Sequence, residues 1–153
     1  MLDIFVDADS CPVKNEIFRS SMRHELEVYW VSNKWTTERM GSKIHKILVP
    51  LGADIADNWI VNNIKKDDIV ITADILLAKR CLEALAFVIT PYGKNLTQEN
   101  IGISVAMRNL NSQLREIGEI GSFNKPMTNQ VRSCFLQQLE SVIQMIKFKH
   151  KKI

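Results

Sequence analysis

Cysteine, glycine and proline are all scarce in this chain of 153 residues, at 3, 6 and 4 copies. The cysteines, Cys11, Cys81 and Cys134, are odd in number and far apart, which argues against a disulfide framework and a CxxC-type zinc site and leaves reduced thiols as the expectation. So little glycine and proline excludes a low-complexity or collagen-like chain. Long hydrophobic runs are missing too: the longest, Ala84 to Ile89, is far too short to span a bilayer. The opening MLDIFVDADS has no basic n-region and places Asp3, Asp7 and Asp9 inside its apolar stretch. A cleaved secretory signal does not fit this pattern, so the expectation is a cytoplasmic protein with no membrane partner. With 46% hydrophobic and 24% charged residues, the chain has the composition and length to bury a core.

A surplus of charge is also lacking. The terminal KFKHKKI holds four of the 20 basic residues, which leaves the preceding chain with 16 against 17 acidic ones. The body is close to neutral, and the basic tail, residues 149–153, reads as a solvated helix end rather than a binding device.

Apolar runs and breakers alternate along the first half. LDIFV is rich in strand formers and leads into DADSCP, where Ser10 or Cys11 can cap a helix and Pro12 suits its first turn. That helix is expected from about Pro12 to His24, with Val13, Ile17, Phe18 and Met22 on its inner face. EVYWVS and HKILVP read as strands, separated by the polar loop NKWTTERMGS. After Gly52, ADIADNWIVNNI carries Ile55, Trp59 and Ile60 at helical spacing. DIVIT reads as a fourth strand, ILLAKRCLEAL as a helix, and AFVIT as a fifth strand stopped by Pro91 and Gly93. Strands alternating with helices predict an α/β fold, a mostly parallel five-stranded sheet with helices on both faces. Two long helices, Thr97 to about Ile117 and Thr128 to about Phe148, follow on either side of GEIGSFNKP. No repeat or long linker interrupts the chain, so one domain is expected over 1–153: an α/β core in 1–95, a helical pair in 96–148 and the tail.

The chemistry concentrates in aspartates at strand ends. Asp7 and Asp9 stand two apart where the first strand ends, and share a face if the extended conformation persists. Asp74 ends the fourth strand after Thr72, and ligands of open parallel sheets gather outside the carboxyl ends of strands. Asp54 and Asp57, three apart on a helix with Asn58 beside them, could close the cluster. Carboxylates crowded in a crevice repel one another unless a divalent cation neutralises them, and oxygen-only ligands favour Mg2+ or Mn2+. Taken singly, each aspartate reads more readily as an ordinary helix or turn cap; taken together, Asp7, Asp9 and Asp74 reverse that balance, being costly charges at a buried strand end. Asp67 and Asp68 read as a solvated turn, Cys11 as a packing or capping residue, and Cys81 and Cys134 as core. His24, His45 and His150 lack ligand-like spacing. Lys34, Trp35, Arg39 and Lys43 in the loop after the second strand combine base-stacking and phosphate-binding chemistry, or else form a plug with solvated charges. Arg108, Arg115 and Arg132 could meet phosphate or pair with glutamates.

VDADSCPVK, GADIADNWIV, DDIVITADILLA and AMRNLNSQLREIG resemble, in order and spacing, the YaiI/YqxD family of bacterial proteins over nearly the whole chain. That family is similar in fold to the PIN-like (NYN-type) nuclease superfamily, which gathers acidic residues around Mg2+ or Mn2+ to hydrolyse RNA or DNA. The resemblance implies Asp7 as the first-strand acid, Asp57 or Asp54 as the helical acid, Asp74 as the fourth-strand acid, and Asp9 as an addition the family shares. A further PIN-like position after the fifth strand has only Thr90, Asn95 or Glu99 to offer here. The chain also departs from the family at Leu76, where a proline is usual, at about Ser122 to Asn124, which replace a Gly-Gly-Pro loop, and at Val131-Arg132, which replace an Asp-Arg pair.

The leading expectation is therefore a metal-dependent nuclease or phosphodiesterase. Asp7, Asp9 and Asp74 form its catalytic set, Asp57 joins them around the metal, and Ser10, Lys14, Thr72, Arg108 and Arg132 meet the substrate. A PIN-like module that binds RNA, DNA or protein without chemistry is the second. A phosphatase of the haloacid dehalogenase type, using the Asp7–Asp9 pair, is the third. No oligomeric state follows from the sequence.

Overall fold

The computed structural model describes residues 2–37, 40–52, 54–116 and 127–151, without the side chains of 10, 108 and 110–116. Expectations for Arg39, for the side chains of Ser10, Arg108 and Arg115, and for the 117–126 loop lie outside the described residues.

Apolar β-rich segments give the strands β1 (Ile4–Asp7), β2 (Val28–Ser32), β3 (Ile44–Leu48), β4 (Ile69–Ile71), β5 (Phe87–Ile89) and β6 (Asn95–Leu96). The helices are α1 (Lys14–His24), α2 (Ile55–Asn63), α3 (Ile75–Glu83), α4 (Ile101–Glu116) and α5 (Asn129–Lys151). The sheet order is β3-β2-β1-β4-β5-β6, parallel except for the last pair. β1 is thus the strand where the winding direction reverses, which opens a crevice outside the carboxyl ends of β1 and β4.

Alternation along the strands divides the core in two. Ile4, Val6, Val28 and Trp30 pack beneath α1 and α5 against Ile17, Phe135, Leu139 and Ile143. Phe5, Val31, Val70 and Val88 pack on the other face against Ile60, Leu77, Cys81 and Ile101 of α2, α3 and α4. Asp7, two residues after Phe5, therefore belongs to the α2–α3 side.

The five-stranded expectation is corrected to six strands. Pro91 and Gly93, read as a stop, instead turn the chain back so that Ile89 pairs with Asn95 antiparallel. The Gly93 N–H donates to Thr90 O at 2.9 Å, and Gly93 sits at φ +88, where a Cβ would lie 3.0 Å from Phe135 N. Only glycine lets this turn press against the first turns of α5.

Four burial expectations are also corrected. α1 buries Ile17, Ser20 and Ser21, while Met22 is exposed: the Ser20 hydroxyl donates to Glu140 Oε1 of α5 at 2.9 Å, and the Ser21 hydroxyl donates within α1 to Phe18 O at 2.9 Å. Cys134 is exposed, on the outer side of the helix that buries Phe135. Asp67 and Asp68 are buried rather than a solvated turn. The basic tail is not merely solvated: α5 runs through Lys151, and Lys149 donates to Asp67 Oδ1 at 3.1 Å.

Candidate functional site

β1 ends in Asp7, and the chain then leaves the extended conformation for a 3-10 turn, Ala8–Ser10. That turn corrects the expectation that Asp7 and Asp9 share a face. Thr72, buried just beyond β4, donates its hydroxyl to Asp7 Oδ2 at 2.9 Å. Asp9 lies over β2 instead, where Oδ1 accepts from the Ser32 hydroxyl at 2.6 Å and Oδ2 from the Asn33 N–H at 3.1 Å.

Asp74 joins the Asp7 side through the same threonine, its N–H donating to Thr72 Oγ1 at 3.0 Å. It caps α3, with Oδ1 accepting from the N–H groups of Leu76 at 2.9 Å and Leu77 at 3.3 Å. The helix N-terminus supports its negative charge. Asp57 arrives from the first turn of α2. Its carboxyl is pushed up to about 6, first by burial and then by the like charges of Asp74, Asp7 and Asp54. Asp7 is raised as well, by burial first, with the Thr72 hydroxyl partly offsetting Asp74 and Asp9. These are carboxylates whose negative charge is incompletely compensated.

Asp54 precedes α2 at φ 62, is exposed, and makes no side-chain capping bond. Asn58 is occupied, its Oδ1 accepting from Arg80 Nη1 at 2.9 Å. Arg80 is a residue the sequence reading missed, since only the packing of α3 beside α2 brings it near Asp57. The oxygen-only donors of Asp7, Asp57 and Asp74 are of the type that suits Mg2+ or Mn2+. Among the described residues, however, no three His, Cys, Asp or Glu side chains are already gathered closely enough to hold a metal ion.

The remaining expected residues divide clearly. Lys14 is the first residue of α1. Arg132 is committed within the protein: Nη1 donates to Pro12 O at 2.8 Å and reaches Glu16 Oε1 at 3.4 Å, clamping the segment after Asp9 from α5. Glu16, also missed, buries its other oxygen, Oε2, without a hydrogen-bond partner. Thr90 is used in the β5–β6 turn, where it accepts from the Lys94 N–H at 3.1 Å. Asn95 and Glu99 line a separate groove with Lys66, Asp67 and Phe87, at the amino ends of β4 and β5.

Both thiols near the acids are held in the protonated form. Burial pushes Cys11 up to about 11, where Asp7 and Glu16 add to it, and Cys81 up to about 12, where Asp57 adds. The histidines serve as pairing groups: His24 with Glu140 at 2.6 Å, His45 with Glu27 at 2.7 Å, His150 with Asp67 at 3.2 Å.

This is an α/β protein with a mostly parallel sheet and an acidic cluster at its topological switch point. Residues 5–145 match the family described as Uncharacterized BCR, YaiI/YqxD family, DUF188, and the chain belongs to that family. It is 43% identical over 146 residues to a UPF0178 protein of Azorhizobium caulinodans, covering 95% of this chain and 92% of the relative. A UPF0178 protein of Rhizobium meliloti is 42% identical over 144 residues, covering 94% and 99%. One of Rhodospirillum centenum is 42% identical over 151 residues, covering 96% and 98%. No solved structure matches the chain. Among the described residues, no helix is long and apolar enough to cross a membrane.

Proposed function

We propose that this protein is a PIN-like, divalent-metal-dependent nuclease or phosphodiesterase acting on RNA or DNA. The observation that carries this reading is the delivery of Asp7, Asp57 and Asp74 by three separate elements to the crevice between β1 and β4. Burial raises both Asp7 and Asp57, and like charges add to it, those of Asp74 and Asp9 at Asp7 and those of Asp74, Asp7 and Asp54 at Asp57.

Asp7, Asp57 and Asp74 would hold Mg2+ or Mn2+, which when bound supplies Lewis-acid stabilisation of phosphoryl oxygens and a more acidic water. Thr72 sets the Asp7 carboxylate and the start of α3 with a single hydroxyl. Asp57, on the rim of the crevice, orients the attacking water and takes its proton. Lys14 is assigned to the phosphate. Arg132 is a positioning residue, holding the Asp9–Pro12 segment through Pro12 O. Asp9 acts through Ser32 and Asn33, setting the loop beyond β2.

A binding module without chemistry is the second reading. It is favoured by the absence, among the described residues, of a preassembled set of metal-holding side chains. A phosphatase of the haloacid dehalogenase type would need Asp7 and Asp9 to work on one phosphate, and they turn to partners on different strands.

The test is cleavage of mixed single-stranded RNA and DNA oligonucleotides with Mn2+ by the wild type and by Asp7→Asn purified in parallel. Loss of about a hundredfold or more in the variant, with its fold intact, is the expected result. Equal cleavage by both overturns the nuclease reading, and no cleavage by either transfers it to the binding module.

A further inference from the structure

The loop after β2 holds chemistry that the acidic cluster does not use. Trp35 is 72% exposed, whereas Trp30 is buried beneath α1. A hydrophobic plug would be covered, and this indole is not. It is nonetheless held in place: the Lys34 N–H donates to Ser32 Oγ at 2.9 Å, and the same hydroxyl donates to Asp9 Oδ1. From the edge strand β3, Lys46 Nζ donates to Thr36 O at 3.1 Å and stands 5.5 Å from the centroid of the Trp35 ring. Hydrogen bonds thus tie the backbone on either side of this aromatic surface, at Lys34 toward Asp9 and at Thr36 toward β3. Trp35 is three positions along the chain from Ser32, at most about 11 Å.

The sequence around this indole is predominantly basic. Residues 33–48 contain Lys34, Arg39, Lys43 and Lys46 against a single acid, Glu38, in a chain whose body is nearly neutral. An apolar protein partner would be served by the ring alone. Lysines bracketing an exposed ring match a polyanion whose units each carry a flat aromatic face, and a single strand presents those faces unstacked.

We propose that Trp35, with Lys34 and Lys46, is a base-stacking subsite for single-stranded nucleic acid. A base lies on the indole, its phosphates meet the lysines, and the strand continues past Asp9 toward Asp7, Asp57 and Asp74. The inference rests on the nuclease reading for its direction along the strand, but its contacts are separate from the acidic cluster.

The experiment measures binding in EDTA, so that no cleavage enters, of a fluorescent oligouridylate and an abasic strand of equal length. The proteins are the wild type, Trp35→Ala and Trp35→Phe. Because Trp35 is largely exposed, its truncation leaves no core cavity, and circular dichroism confirms the fold. The expected result is about a tenfold loss of affinity for oligouridylate in Trp35→Ala, retention of most affinity in Trp35→Phe, and no difference on the abasic strand. Unchanged oligouridylate affinity in Trp35→Ala, equal losses on both strands, or no binding by the wild type overturns the subsite. The first of these would give the loop to an apolar protein partner. Cleavage with Mn2+ then separates the two ideas. Binding through Trp35 without any cleavage overturns the nuclease reading and leaves the subsite standing, while Asp7-dependent cleavage indifferent to Trp35→Ala does the reverse.

Discussion

Aspartates gather at both ends of the sheet, buried at the amino end and half-buried at the carboxyl end, and the two ends treat them in opposite ways. At the amino end, Asp68 is 1% exposed and accepts from the backbone N–H groups of Asp3 at 3.0 Å and Lys65 at 2.8 Å. Asp67 beside it receives Lys149 and His150 from the last turn of α5. At the carboxyl end, Asp7 has one hydroxyl and Asp74 two backbone donors, and the charges that act on Asp57 are mostly of its own sign. Burial raises Asp68 as well as Asp57, so a raised carboxyl alone does not mark a site. What differs is the counterweight: backbone donors oppose the rise at Asp68, while at Asp57 only Arg80 does. The amino end supplies its aspartates with partners from the chain itself, and the repulsion left at the carboxyl end is what the proposed function puts to use.

The largest expected effect lies at the stable end. Asp68→Ala strands the N–H groups of Asp3 and Lys65 in a buried position, and urea unfolding should show a loss of about 3 kcal/mol. Asp74→Ala removes two backbone acceptor bonds too, yet should cost about 1 kcal/mol or less, because a lost helix cap is offset by relief of repulsion with Asp7 and Asp57. Equal losses in the two variants would break the contrast between the ends.

The sequence makes the aspartates of both ends visible but not their partners. Asp7 and Asp74 stand out because each follows an apolar run whose strand character is unambiguous, and the switch point needs only that β1 and β4 be neighbours, as they are. Asp9 escapes the same reasoning, since a 3-10 turn of three residues overrides the two-residue period on which it depends. The pairing of Asp67 with α5 spans |i−j|=82, and the clamp of Arg132 on Pro12 spans |i−j|=120, so local pattern carries neither. On α1 the apolar period points to Phe18 and Met22, but the helix buries Ser20 and Ser21 instead, whose hydroxyls find partners in Glu140 and in Phe18 O. β6 is two residues long, below the length at which alternation can be read.

Asp57→Asn should do at the acidic end the opposite of what Asp68→Ala does at the other: stabilise the protein. A carboxyl raised to about 6 favours folding while protonated, below its unfolded value near 3.8, and that advantage disappears as pH rises through about 6. The amide removes the resulting penalty, which solvent screening of this half-exposed group limits to about 1 kcal/mol. Without divalent cations the variant should therefore melt a few degrees above the wild type at pH 7.5, with the difference closing by about pH 4. Saturating Mn2+ should reverse the order, since the wild type alone retains the full set of carboxylates. A difference that is independent of pH would show that Asp57 is not under electrostatic strain.

The smallest effect returns to the amino end. Lys149→Ala leaves Asp67 with His150 alone, and because the lysine is more than half exposed the loss should be about 0.5 kcal/mol, shrinking as salt is added. Its sign is what matters, being opposite to that of Asp57→Asn: removing a charge hurts where charges are paired and helps where they are not. A double-mutant cycle with Asp67→Asn isolates the pair. A coupling of zero would mean that Lys149 contributes nothing to holding this end of α5, which would then rest on His150 and on the packing of Ile143 and Ile146, while the repulsion among Asp7, Asp57 and Asp74 remained.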